Sequence, residues 1–186
     1  MRFSLFLATI GALAGSALAA PQTILVEAQI VELTTNDPEP PKDLSRLTEE
    51  KGADVLTFST LETPSGKPAT LSATRRFTVP DKDTFETGVV LTVCPAFTED
   101  HRVQYSVDFD ATEFLGYAAD SSSPAPMFST KKTIGIEGAT DFGKPVLLDL
   151  RTLRDEQTIQ EPGKPDHTAT IYRRTFAILR FSKGVE

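Results

Sequence analysis

The 186-residue chain has 26 acidic against 19 basic side chains, for a formal net charge of −7, with 39% hydrophobic residues, no tryptophan and one cysteine. An acidic surface repels a phosphate backbone, so nucleic acid is excluded as a partner. The single cysteine, Cys94, excludes an intrachain disulfide, and its apolar surroundings without a basic neighbour predict a buried, inert thiol.

At the N-terminus, Arg2 precedes an apolar stretch from Phe3 to Leu13, and small residues then lead to Ala17-Leu18-Ala19. Positive charge, apolar run and a small-residue site in that order describe a secretory signal peptide cleaved after Ala19. A membrane anchor would need ~20 apolar residues, and this run is shorter and diluted by glycine and serine. Residues 20–186 remain as one domain of ordinary size. Its net charge moves from −7 to −8 because Arg2 leaves and no acid does. No later stretch is long and apolar enough for a spanning helix, so insertion would fall to strands, and membrane association is left open.

Thr23 to Leu33 alternates Ile24, Val26, Ala28 and Ile30 with Glu27 and Gln29, the pattern of a strand with one dry face. The prolines of Thr34 to Pro41 make a stiff loop. Residues 42–51 are expected to form a short helix, with Asp43 as N-cap, Leu44 and Leu47 on one stripe, and Gly52 as the stop. Asp54 to Leu61 is the next strand, and the turn Pro64-Ser65-Gly66 returns the chain into Ala69 to Val79. Arg75 and Arg76 in that strand are adjacent and so point to opposite faces. Asp81 to Glu86 is expected as a charged loop around Phe85.

Gly88 to Pro95 is short and β-branched, and Pro95 is expected to close it by removing a ladder donor. Val103 to Thr112 alternates without a fault, placing Val103, Tyr105, Val107, Phe109 and Ala111 on one face. A polar turn, Thr98-Glu99-Asp100-His101, joins the two runs as an antiparallel hairpin. Ala118 to Pro126 is a low-complexity loop, Met127 to Glu137 and Pro145 to Leu150 are further strands, Arg151 to Thr168 is charged and loop-like, and Ala169 to Phe181 is the last strand. The fold class is therefore α+β and β-rich: antiparallel sheets and hairpins with one short helix near the N-terminus.

Gly88 to Pro95, then Thr112-Glu113-Phe114-Leu115-Gly116-Tyr117, then Pro126-Met127-Phe128-Ser129-Thr130-Lys131-Lys132, stand in an order and spacing that resembles the C-terminal domain of bacterial secretins. These are the ring-forming outer-membrane channels of type II and III secretion and type IV pilus systems. Leu25-Val26-Glu27-Ala28 and Thr63 to Ala69, with Gly66, extend the likeness, which is strongest over residues 24–150. The resemblance implies structural and assembly roles for Glu27, Gly66, Gly88, Pro95, Phe114, Gly116, Tyr117 and Phe128. It also implies export to the periplasm or outer membrane of a Gram-negative-type bacterium, and protein partners, either copies of itself or a secretin or other envelope complex. The chain departs from the family in three places. The interval from Pro80 to Thr87 is too short for a full gate hairpin, Leu148-Asp149 replaces a glycine pair, and the membrane-facing rim segment is missing.

No enzymatic constellation stands out. His101 and His167 sit in polar turns, and neither has zinc-like companions. Asp108, Asp110 and Glu113, read as the wet side and end of one strand, form a solvated face and not a calcium loop. Gly135, Gly138 and Gly143 lack phosphate-loop spacing and read as strand breaks and turns. No catalytic residue, metal or cofactor is expected. Two readings remain: a secretin-like envelope protein acting by protein association, or a free-standing periplasmic binding or scaffolding domain without pore formation.

Overall fold

A computed structural model describes residues 22–39, 41, 44–78, 84–117, 125–159 and 167–184. Ala19 and its cleavage site, the N-cap Asp43, the loop at 118–124 and the turn around Pro162-Gly163 lie outside the described residues. Eight strands occur in chain order: β1 (Thr23–Thr35), β2 (Ala53–Pro64), β3 (Ala69–Thr78), β4 (Thr84–Phe97), β5 (Val103–Tyr117), β6 (Pro126–Thr140), β7 (Val146–Ile159) and β8 (His167–Lys183). They build two four-stranded antiparallel sheets, ordered β2-β1-β8-β7 and β3-β4-β5-β6.

Period-two alternation decides which side chains meet between the sheets. From the first sheet, Ile24, Val26, Ala28, Ile30, Leu148, Leu150, Ala177, Leu179 and Phe181 face inward; the second answers with Leu71, Val89, Leu91, Val93, Val103, Tyr105, Val107, Phe109 and Ala111. Ladder pairing aligns these residues in rows, such as Val26 with Phe181 and Val93 with Val107. Tyr105 and Phe181 stack across the gap with ring centroids 5.5 Å apart. Burying each large side chain of this set stabilises the fold by roughly 1.5–3 kcal/mol.

The fold is mostly β, which corrects the α+β reading. The helix expected over 42–51 is only a 3-10 turn, Leu44–Glu49, broken at Arg46 (φ −113°, ψ 18°). Preceding prolines and a narrow apolar stripe give a helix too little to bury, so the segment stops after enough turn to seat Leu47. Leu47 caps the outer face of the first sheet, where Val31, Leu33 and Phe176 form a second buried cluster.

Several strands outrun their expected limits. Thr84 to Glu86 belongs to β4, Leu115 to Tyr117 to β5, and Arg151 to Ile159 to β7, which forms a long hairpin with β8. Charge hid these extensions, because a strand beyond the core needs no apolar face. Pro95 does not close β4, which continues to Phe97. Its carbonyl accepts from Gly66 N–H at 2.7 Å, so its nitrogen faces the β2–β3 turn and its missing donor costs the β4–β5 ladder nothing. Cys94 is half-buried, because it points away from the core between inward-facing Val93 and Pro95.

Phe109 is fully buried at the middle of β5. Phe109→Ala is expected to lower unfolding free energy by about 3–5 kcal/mol, measured by urea denaturation, with the β-type circular dichroism of the surviving folded fraction unchanged.

Candidate functional site at the sheet edges

Among the described residues, each sheet presents two open edges: β2 and β7 in the first, β3 and β6 in the second. Since all neighbours are antiparallel and each sheet has four strands, its two edge strands run in opposite directions. A second copy placed alongside in the same orientation therefore extends both ladders as antiparallel pairs. Unpaired backbone N–H and C=O groups along such edges are templates for that pairing.

The edges differ in what they carry. β2 exposes Val55, Leu56 and Phe58, the last at 64%, an unusual apolar load for an edge strand. β6 exposes Met127 and Ile134 but also Lys131 and Lys132. It is bulged where Ile134 and Gly135 oppose Asp108, whose carboxylate accepts from Gly135 N–H at 2.8 Å. On β3, Arg76 meets Glu86 at 3.3 Å, and Arg75 is exposed.

The eight residues singled out in the sequence do not form one site. Phe114, Gly116, Tyr117 and Phe128 gather at the far end of β5 and β6. Phe114 lies 5.3 Å from Tyr117 and 5.7 Å from Phe128, and Phe128 is 4.7 Å from Phe85 of β4. Gly116 (φ 112°) sits beside the bulge that lets Leu115 project from β5, a conformation an L side chain resists. Gly88 (φ 124°) is pressed against the carbonyl of Ala73, where a Cβ has no room. Gly66 makes the β2–β3 turn that Pro95 accepts from. Glu27 stands apart on the outer face of β1, 3.7 Å from Arg180.

A feature not expected from sequence lies between the sheets. Glu113 continues the inward parity of Phe109 and Ala111, so it enters the intersheet space instead of the wet face. There it meets Arg173 of β8 at 2.6 Å and Arg151 of β7 at 3.8 Å. Arg151 also faces Glu32 of β1 at 3.8 Å, and Arg173 bonds Asp155 at 3.0 Å. Burial opposes the charge on Arg173, but the carboxylates of Glu113 and Asp155 outweigh it and hold its pKa above the usual arginine value. This cluster replaces the apolar core at that end of the sandwich. Only the parity of β5, read one step past Ala111, signals it in the sequence.

Asp108 and Asp110 are occupied separately, by Gly135 and by Lys132 at 4.0 Å, so the acidic triplet does not converge. Among the described residues, no group of three or more His, Cys, Asp or Glu side chains is placed to hold a metal ion, and no helix is long and apolar enough to cross a membrane.

No protein-family model matches the chain, and no curated protein matches it in sequence. Solved structures do. The type II secretin GspD from enteropathogenic Escherichia coli is 13% identical with a TM-score of 0.52, over 89% of this chain and 70% of that one. A chain of the Klebsiella pneumoniae type II secretion system outer membrane complex of PulD, PulS and PulC HR domain is similar at 12% identity, TM-score 0.53, over 90% of this chain and 41% of that one. The V. cholerae type IV competence pilus secretin PilQ matches at 12% identity, TM-score 0.51, over 90% of this chain and 62% of that one. The chain thus spans less than two thirds of the latter two, and the likeness is one of fold.

Removing the Glu113 charge strands two arginines in the intersheet space. Glu113→Gln is expected to destabilise by about 1–3 kcal/mol in urea denaturation.

Proposed function

We propose, from the divergent secretin-domain fold this chain carries, that it is an exported envelope protein acting by protein association in a secretion or pilus-assembly system. The supporting observation is the edge geometry: two sheets, each with opposite-running open edges, let copies join side by side without reversing direction. The apolar edge of β2 adds side-chain burial to that backbone pairing. GspD and PilQ, which share the fold, are described as a type II secretin and a type IV competence pilus secretin, and the matched Klebsiella pneumoniae chain belongs to a type II secretion system outer membrane complex. Export is supported by the signal-peptide pattern of Arg2, the apolar stretch Phe3 to Leu13 and Ala17-Leu18-Ala19. On this reading the protein works as a structural partner and not as an enzyme, in the periplasm or outer membrane.

A second reading, a free-standing periplasmic binding or scaffolding domain, draws on β6. Its bulge and the exposed Lys131 and Lys132 are devices that discourage edge pairing.

Envelope fractionation of a tagged chain separates the two. Assembly predicts a large, detergent-stable multimer in the outer-membrane fraction, lost when Leu56 and Phe58 of β2 are both changed to Lys. Release as a monomer with the soluble periplasm would establish the solitary domain instead.

A further inference from the structure

Between the open edges of β6 and β7 lies a cleft of about 390 Å³. Ser129, Thr130 and Lys131 line it from one sheet, and Asp149, Arg151 and Thr152 from the other. Two of its cations, Lys131 and Arg151, have hydrogen-bond donors to spare. Lys131 joins no ion pair among the described residues, and Asp149 is already faced by Arg174 at 3.5 Å. The central group is Arg151. Its side chain is only 8% exposed, its Nε has no acceptor, and its two terminal nitrogens come no nearer than 3.8 Å to Glu32 and Glu113. Glu113 is itself committed to Arg173 at 2.6 Å. A guanidinium offers five donors in a planar fork, so this one is charge-balanced at a distance yet short of hydrogen bonds.

We propose that the cleft is a carboxylate-binding site that receives an Asp or Glu side chain from an extended acidic segment of another polypeptide. Either flanking edge offers unpaired backbone groups to such a segment, and a strand laid there turns alternate side chains into the cleft. The hydroxyl of Ser129, which pairs with Glu113 on the same face as Lys131, suits the second carboxylate oxygen. A segment of this kind also exists in the chain itself: Asp54 on the exposed edge of β2 shares a cross-strand row with Glu32, Thr175 and Arg151. The site is complete in a single copy, so the inference does not rest on ring assembly.

The test is titration calorimetry of the mature protein with a short extended peptide, acetyl-Thr-Val-Glu-Val-Thr-amide, against the same peptide carrying Gln. The Glu peptide is expected to bind at least about tenfold more tightly, in line with a buried charge-assisted pair. Lys131→Gln, an exposed change that does not threaten the fold, is expected to weaken it about two- to fivefold, as a half-exposed charge does. Arg151→Lys keeps the charge and loses the fork, and about a tenfold loss is expected in a protein whose circular dichroism is unchanged. Sedimentation of wild type and Asp54→Asn identifies the source: self-association lost in the variant and blocked by the Glu peptide assigns the acid to a second copy, and its absence assigns it to a different protein. Equal binding of the Glu and Gln peptides, or no binding of either to the folded protein, overturns the proposal.

Discussion

Everything in this molecule follows from the contact between two sheets, and that contact changes character along its length. At one end the inward faces of β1, β4, β5, β7 and β8 are apolar, and Phe109, Phe181 and Leu91 interlock without solvent. At the other, the same parity delivers Glu113, Arg151 and Arg173 into the gap. Apolar burial supplies the stability. The ionic end supplies much less, since desolvation cancels most of the attraction between buried charges. What it adds is direction and placement: a charge pair is satisfied in one relative arrangement of the sheets, while an apolar face tolerates many.

Joining the sheets by charge at one end lets the strands outrun the core there. β5 with β6, and β7 with β8, reach past the last apolar row as long two-stranded arms. Beyond the core, ring contacts among Phe85, Phe114, Tyr117 and Phe128 link β4, β5 and β6. GspD and PilQ share the fold at 12–13% identity, a level at which a backbone arrangement persists after most of its side chains have changed.

The sandwich also explains how one acidic chain presents a local site for acids. Its surplus of negative charge is spread over exposed turns and outer faces, whereas Arg151 and Lys131 are brought together where edges of different sheets lie side by side. Neither residue is near the other in sequence. Folding, and not composition, brings the two together.

Much of the plan was legible in the residues. Alternation marked β1, β5 and the start of β7; turn chemistry marked the returns at Gly66 and at Thr98 to His101; and the spacing of Gly88, Phe114, Gly116 and Phe128 carried the likeness to secretins. These signals are local, because a pleat or a turn is determined by residues within a few positions. The helix over 42–51 was misread because capping residues announce a helix even when its stripe has too little to cover. The charged stretch after Leu150 was read as loop because a strand beyond the core has no apolar face to reveal it. The chain alone thus determined which segments extend and which side of each is dry. Which edges stay open, and which acid meets which arginine, only the tertiary structure decided, because those depend on strands about 40 to 160 residues apart lying side by side.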